Sequence, residues 1–201
     1  MPKDVSGILA NWLPNHIAAR LLIIVFLLWA VSEVYNTFGT RRFFSAGIQR
    51  KDRCSYWIIV LIVWGSMIVS LLARMFGLGV FQSNLQYLGL ALVVFGIALR
   101  EWSVLSLGRY FTVSVVVAPG QTLVRRGPYQ WLRHPAYSGS ILSLVGFSLS
   151  VGTWVGAVLV LILSVSGYLN RVRIEEEALL AAFGNEYRDY MQHTWRFFPG
   201  F

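Results

Sequence analysis

The stretch that decides the fold is AYSGSILSLVGFSLSVGTWVGAVLVLILSVSGYLN, residues 136–170, which contains no Asp, Glu, Lys, Arg or His. About 20 helical residues cross a bilayer core of about 30 Å. The 35 uncharged residues are therefore too many for one crossing and barely enough for two short ones. We predict a tight helical hairpin that turns near Gly152. Because a hairpin returns to its starting side, the residues that flank it are expected to meet at one membrane surface.

The whole chain has the composition of a membrane protein. Of its 201 residues, 56% are apolar and 13% are charged, whereas an ordinary soluble domain has about 25% charged residues. So few charges cannot cover so much apolar surface, which argues against a soluble globule. Disorder is excluded, because disordered chains are poor in large apolar side chains.

Three more apolar segments bring the prediction to about five transmembrane helices. They are residues 21–31, 56–73 and 85–99. The third is too short to cross a bilayer, so we expect its helix to continue through Arg100 and Glu101. The predicted fold class is an all-α membrane protein.

The positive charges lie mostly on one side of these predicted spans. Thirteen of the 17 Lys and Arg residues fall on the side that holds the C-terminus, and cytoplasmic loops are the ones enriched in Lys and Arg. The C-terminus is therefore predicted to be cytoplasmic, in a multi-pass protein of a prokaryotic cytoplasmic membrane. This asymmetry accounts for the net charge of +8 without nucleic acid as a partner.

Two segments outside the membrane have patterns of their own. VSVVVAPGQTLVRRGPY, residues 113–129, alternates β-branched residues around a Pro-Gly turn and is typical of a cytoplasmic extended hairpin. Residues 171–193 are predicted to form an amphipathic C-terminal helix. Its apolar face consists of Leu180, Phe183, Tyr187 and Tyr190. Aromatic residues near span ends, Tyr168 among them, are most simply an interfacial belt.

The densest group of polar residues flanks the predicted membrane hairpin. Its members are Arg133, His134 and Tyr137 before the hairpin, and Arg171, Arg173, Glu175, Glu176 and Glu177 after it. Arg171 and Glu175 are four residues apart, so one helix face places the carboxylate beside the guanidinium. Composition alone also allows an interfacial belt of Arg and Tyr anchors. Pro135 restricts His134, which favours a positioned side chain.

Two motifs carry a resemblance to a known family. GPYQWLRHPAYSG, residues 127–139, and RIEEEALLAAFGNEYRDYMQHTWRFFP, residues 173–199, resemble the C-terminal signature of the isoprenylcysteine carboxyl methyltransferase family. That signature pairs GPYxxxRHPxYxG with a later EExxL, FGxEYxxY and a terminal Pro. The resemblance covers about the last 80 residues. We predict one membrane domain over residues 1–201, with a three-span, substrate-side part at 1–108 that rests on hydropathy and the part with the methyltransferase signature at 109–201.

The same resemblance implies an integral membrane enzyme that uses S-adenosyl-L-methionine to methylate a carboxylate on a lipidic or prenylated substrate. By motif position it implies a cofactor site at Tyr129, Leu132, His134, Pro135, Tyr137 and Glu176, and catalytic roles for Arg133, Arg171 and Glu175. His134 and Tyr137 would hold the cofactor's methionine end, and Glu176 would meet its ammonium group. Three consecutive glutamates leave their division of roles open. No metal site is expected, because the histidines are far apart and Cys54 is the sole cysteine.

Other functions remain open at this point. A phospholipid or other amine N-methyltransferase would need a general base such as Glu175. A nicotinamide-dependent membrane reductase of the sterol type and a non-catalytic lipid-binding membrane protein are further alternatives. The sequence leaves the methyl acceptor and the oligomeric state undetermined.

Overall fold

The computed structural model describes residues 20, 21, 23–29, 31, 54–82, 84–111 and 120–200. These residues form helices and connections. Residues 20, 21, 23–29 and 31 are helical, and the helices that follow are α1 (Cys54–Met75), α2 (Leu85–Leu107), α3 (Pro135–Ser150), α4 (Trp154–Phe183) and α5 (Asn185–Gln192). Short 3-10 helices lie at Gly108–Tyr110 and Gly127–Gln130. Within the described ranges there is no β-strand beyond isolated bridges.

Three of these helices, α1, α2 and α4, are long and apolar enough to cross a membrane. The chain is thus an all-helical membrane protein over the part that the structure describes. Helix α2 runs without a break to Leu107, through Arg100 and Glu101, as the sequence predicts. Helix α3 has 16 residues, which is about 24 Å of helix and shorter than a full crossing. The total of about five spans stays a prediction.

Helices α3 and α4 form the predicted hairpin, with its turn at Gly152. Gly152 has a φ of +83°, which residues other than glycine rarely adopt, and a Cβ there would lie 2.6 Å from the carbonyl oxygen of Phe81. Arg74 Nη1 donates to the carbonyl oxygen of Gly152 over 3.1 Å, and Thr153 Oγ1 caps α4 by accepting from Gly156 N over 3.0 Å. The end of α1 and the connection to α2 therefore hold the turn between α3 and α4 in place.

Backbone contact between α2 and α3 depends on two pairs of glycines. A Cβ on Gly96 would lie 2.5 Å from the carbonyl oxygen of Gly139, and one on Gly146 would lie 2.7 Å from that of Gly89. The glycines are seven residues apart on each helix, so both pairs lie on one face. Absent side chains let helix backbones approach closely in membranes. These contacts place the start of α3 beside the C-terminal half of α2.

Apolar packing and a few polar contacts join the remaining helices. The buried core between α1, α3 and α4 consists of Ile62, Met67, Ile141, Leu144, Val160, Tyr168 and Val172. Ser70 Oγ and Ser148 Oγ lie 2.7 Å apart between α1 and α3. Arg100 is buried in α2 and donates to Ser140 Oγ over 3.2 Å. Such pairs satisfy polar groups that lipid cannot.

The C-terminal region corrects one prediction. A single helix over residues 171–193 is wrong, because residues 171–183 continue α4 and a separate helix, α5, follows. The break lies at Gly184, whose φ is 54° and whose N–H bonds the carbonyl oxygen of Leu180. A glycine in this conformation ends a helix at little cost.

The predicted extended hairpin at residues 113–129 is tested only in part. Residues 113–119 lie outside the described residues, and positions 121–125 are neither helix nor strand. Its predicted end is wrong in detail, because Gly127–Gln130 is a 3-10 helix that begins at a glycine with φ 61° and continues with Pro128.

Substituting Gly96 by Ala is expected to destabilise the protein by about 1–3 kcal/mol, because the new methyl overpacks against the α3 backbone. Thermal unfolding in detergent measures this loss. Gly65→Ala is the matched control, since a Cβ there has its nearest neighbour at 3.9 Å, and alanine favours helix by up to about 1 kcal/mol over glycine. Equal melting temperatures for the two variants would contradict the proposed glycine contact.

Candidate active site

Three segments of the chain meet at the end of the hairpin opposite Gly152. They are residues 131–137, residues 171–176 of α4, and the C-terminal segment, which we define as residues 193–200. Backbone hydrogen bonds align the first with the third: Arg133 N donates to Trp195 O over 2.8 Å, and His134 N to Arg196 O over 3.1 Å. The two hairpin ends meet as predicted, because His134 lies 3.4 Å from Glu175 and 3.3 Å from Glu176.

His134 lies between two glutamates of α4. Its Nδ1 is 3.4 Å from Glu175 Oε2 and its Nε2 is 3.3 Å from Glu176 Oε1. The ring is buried. Burial lowers the pKa of His134, but its hydrogen bonds to the two carboxylates outweigh this and leave the pKa raised above its ordinary value. The geometry therefore favours an imidazolium whose two N–H groups donate to different glutamates.

Glu175 forms a second set of contacts on the other side of the ring. Tyr137 Oη donates to Glu175 Oε1 over 2.5 Å, and Arg171 Nε lies 3.2 Å from the same oxygen. Arg171 Nε also donates to Tyr137 Oη. The predicted pair of Arg171 and Glu175 is thus present, with Tyr137 joining it. The Arg171 side chain is 1% exposed and that of Glu175 is 20% exposed, so the carboxylate is the more accessible group.

Glu176 is more enclosed, with 6% of its side chain exposed. Arg196 holds both of its oxygens, with Nη2 2.6 Å from Oε2 and Nε 3.2 Å from Oε1. Arg133 Nε donates to Oε1 over 3.1 Å. Arg133 Nη1 also donates to the carbonyl oxygens of Met191 and Thr194. Arg133 therefore links Glu176 to the chain that leads into the C-terminal segment.

Aromatic rings pack around this cluster of charges. The rings of His134 and Tyr137 are stacked with centroids 5.9 Å apart, and Tyr137 stacks on Tyr168 at 4.8 Å. Phe197 packs edge-on against His134 at 6.3 Å and is fully buried. Tyr168 is buried as well, so its interpretation as a residue of an interfacial belt is wrong. The stack limits the positions that the imidazole ring can take.

The remaining predicted site residues are bound through their backbone or lie at the start of α3. Tyr190 Oη of α5 donates to the carbonyl oxygens of Tyr129 and Leu132, over 2.7 Å and 3.3 Å. Leu132 also pairs with Trp195 in an isolated parallel bridge. Pro135 is buried at the first position of α3. The structure thus brings all the predicted site residues into one region.

Two contacts of the cluster, those of Arg196 and Tyr190, could not be found by sequence reasoning. Arg196 lies in the C-terminal segment, and Tyr190 lies in α5. Both reach the cluster because Gly184 turns the chain back after α4. The charge of Arg196 is the signal available in the sequence, but its partner lies 20 residues away in another element.

Two tyrosines of α5 give a test of the site's packing. Tyr190→Phe is expected to lower the free energy of unfolding by about 1 kcal/mol, because two carbonyl oxygens lose their donor. Tyr187→Phe is the matched control, since its buried hydroxyl has no hydrogen-bond partner among the described residues. Thermal unfolding in detergent should show a lower melting temperature for the first variant alone. A larger loss for Tyr187→Phe would contradict this contact map.

Comparison with known proteins places most of this cluster in a recognised family. Residues 89–181 match the sequence profile of the isoprenylcysteine carboxyl methyltransferase (ICMT) family. Residues 89–181 belong to the ICMT family. The resemblance drawn from the two motifs is therefore confirmed. The ICMT region contains all the predicted site residues, from Tyr129 to Glu176, whereas Arg196 lies beyond it.

Curated relatives match about half of the chain. The uncharacterized protein YpbQ of Bacillus subtilis is 34% identical over 99 residues, which are 49% of this chain and 59% of that protein. Protein-S-isoprenylcysteine O-methyltransferase B of Arabidopsis thaliana is 30% identical over 108 residues, or 53% of this chain and 55% of that protein. The matched part thus spans somewhat more than half the length of these two relatives.

A solved structure shares the fold. It is that of the eukaryotic intramembrane Ras methyltransferase ICMT, with a TM-score of 0.64, 21% identity, and coverage of 97% of this chain and 74% of that one. At this identity the likeness concerns the fold alone. The apolar helices and the ICMT match agree that the chain is an integral membrane protein.

Proposed function

We propose that the chain is an S-adenosyl-L-methionine-dependent methyltransferase that methylates a carboxylate on a lipidic, isoprenylcysteine-like substrate. The observation that carries this proposal is the excess of positive charge in the cluster. Four cationic side chains, Arg133, His134, Arg171 and Arg196, surround two carboxylates, Glu175 and Glu176. Buried charges are tolerated when they are paired. A surplus of cations favours an anionic acceptor over an amine.

The names of the relatives support the same choice. The Arabidopsis relative is named a protein-S-isoprenylcysteine O-methyltransferase, and so is a mouse relative that is 32% identical over 108 residues. A carboxylate acceptor is already ionised at neutral pH, so methyl transfer to its oxygen needs no strong base. The cluster offers no carboxylate that is free of cationic partners, which disfavours Glu175 as the general base of an N-methyltransferase.

The residues present fit the chemistry of the methyl donor. When bound, S-adenosylmethionine supplies a methyl group on a positively charged sulfur, which is activated without a metal. The stacked rings of Tyr137 and Tyr168 lie beside the charge cluster, and neutral aromatic rings attract cations. A carboxylate is required for the donor's ammonium group, and two are at hand.

Between the two glutamates, the contacts favour Glu175 as the one that meets the ligand. Both oxygens of Glu176 are held by arginines, and its side chain is nearly enclosed. Glu175 is the more exposed. We therefore assign Glu176 and Arg133 to holding the site together, although the family resemblance implies an ammonium contact for the first and an acceptor contact for the second.

Arg171 is the residue that we assign to the acceptor carboxylate. A guanidinium has five N–H donors in a planar fork, so it can hold Glu175 and a second carboxylate at once. Its contacts with Tyr137 and Glu175 fix its orientation before any substrate arrives. Fixed orientation matters because methyl transfer needs an in-line approach of the reacting atoms.

The placement in the membrane follows the charge asymmetry of the sequence. We propose about five spans, a cytoplasmic site, a cofactor that enters from the cytosol and a lipidic substrate that enters from the bilayer. The buried Arg171 on α4, a helix long enough to span, supports a site at the membrane boundary.

Cofactor binding is tested with S-adenosylhomocysteine and the purified protein in detergent. A ligand at 100 times its Kd stabilises a protein by about 2.7 kcal/mol, so the melting temperature should rise. His134→Gln and Tyr137→Phe should reduce this rise. His193→Gln is the control, because that side chain is 72% exposed. A rise that is unchanged in both site variants would refute the assigned site, and a rise with NADPH instead would favour a reductase.

Turnover is tested with radiolabelled S-adenosylmethionine added to membranes that contain the protein. Label should enter a base-labile volatile ester; label in a stable lipid amine would favour N-methylation. Arg171→Lys should lower turnover by at least about tenfold while sparing S-adenosylhomocysteine binding, because lysine lacks the planar fork. Arg173→Lys is the matched control, since Arg173 is an exposed neighbour. Loss of cofactor binding in Arg171→Lys would contradict its assignment to the acceptor.

A further inference from the structure

The C-terminal segment contributes an arginine to the site from outside the family match. Arg196 lies beyond residues 89–181, and its guanidinium holds both oxygens of Glu176, at 2.6 Å and 3.2 Å. Its side chain is 31% exposed while that of Glu176 is 6% exposed. Arg196 therefore covers the carboxylate on the side that faces out of the cluster.

The same segment holds His134 in two more ways. The backbone N–H of His134 donates to the carbonyl oxygen of Arg196 over 3.1 Å. The ring of Phe197 packs against the imidazole, and Ser138 Oγ donates to the carbonyl oxygen of Phe197 over 2.6 Å. Main chain, aromatic ring and charge thus connect this segment to one histidine.

The contacts form a continuous path through the site. Arg196 holds Glu176, Glu176 faces Nε2 of His134, and Nδ1 of His134 faces Glu175. Glu175 continues the path to Tyr137 and Arg171. A change of the Arg196 side chain therefore reaches the ring through the Glu176 carboxylate.

We propose that Arg196 is a positioning residue of the active site, which fixes the Glu176 carboxylate against the His134 ring so that the C-terminal segment completes the site. The proposal rests on the proposed function in one respect, namely that His134 holds the methyl donor. The contact itself is a property of the protein without ligand, so it can be tested separately.

Removing the charge of Arg196 should change the pKa of His134 in a defined direction. The groups that face His134 or its glutamates are Glu175, Glu176 and Arg171 from α4, Tyr137 from α3, Arg133 from the preceding loop, and Arg196 from the C-terminal segment. Arg196 neutralises much of the Glu176 charge that would otherwise stabilise the imidazolium. Without it, Arg133 still holds Glu176 Oε1, the oxygen that faces His134 Nε2, so the carboxylate stays beside the ring with its charge less neutralised and the pKa of His134 rises further.

The first experiment follows the histidine ring nitrogens by NMR in the full, ligand-free protein in detergent. The chain has three histidines, and His134→Gln assigns the signal of interest. In Arg196→Met the His134 midpoint should move up by about one pH unit. A midpoint that is unchanged or lower would overturn the proposal, because the charge would then not act through Glu176.

Two further variants control for charge and for folding. Arg196→Lys keeps the charge, so its His134 midpoint should stay near that of the unchanged protein. It replaces Arg196→Met if that variant fails to fold. A His134 midpoint in Arg196→Lys that is as high as in Arg196→Met, or that is shifted by a full pH unit, overturns the charge argument. Arg188→Met removes an exposed arginine that bonds Asn185 Oδ1 on the surface. Its His134 midpoint should not move, and a shift equal to that of Arg196→Met would mean a non-specific field effect.

The second experiment measures S-adenosylhomocysteine binding by the melting shift. Arg196→Met should weaken binding about tenfold, which is 1.4 kcal/mol, and Arg188→Met should not. Equal affinities for Arg196→Met and the unchanged protein would overturn the positioning role. No binding by the unchanged protein would refute the proposed function, while the NMR titration would still decide whether Arg196 positions Glu176 against His134.

Discussion

Burial removes water as a hydrogen-bond partner, so the charged groups at the ends of the α3–α4 hairpin must satisfy one another. This constraint explains why His134 lies between Glu175 and Glu176, and why arginines from three segments surround the two carboxylates. Leaving one member unpaired would cost several kcal/mol, of the order of 3–5. The cluster is therefore formed as a whole, and the fold around it serves to bring its members to one place.

Close backbone packing fixes the positions from which His134 and the two glutamates meet. The glycine contacts between α2 and α3 fix where the first turn of α3 lies, and the contacts of Arg74 at Gly152 fix the far end of the hairpin. His134, just before α3, and Glu176, in the last third of α4, are thus positioned by contacts at both ends of the hairpin. Neither glutamate needs a flexible loop to reach the histidine.

Sequence reasoning succeeded where a local rule decides the outcome. The uncharged stretch predicts the hairpin because bilayer thickness limits helix length, and the four-residue spacing predicts the pairing of Arg171 with Glu175. It failed where distant segments meet. The break at Gly184 turns the chain back, and Arg196 then reaches Glu176. Tyr168 was placed at an interface because neighbouring rings cannot be seen in a linear pattern. The roles of the site residues stay predictions.

The contact between α2 and α3 has a consequence for where the bundle could admit the apolar chain of the proposed substrate. Where the backbones of α2 and α3 touch, no side chain can change rotamer to make room. This interface therefore has a single packing arrangement and cannot open gradually. Between α1 and α4 the contact is made by side chains such as Ile62 and Leu163, which can change conformation. Any gap that opens to the surrounding lipid is therefore expected along α1 and α4, with the other pair acting as a rigid wall.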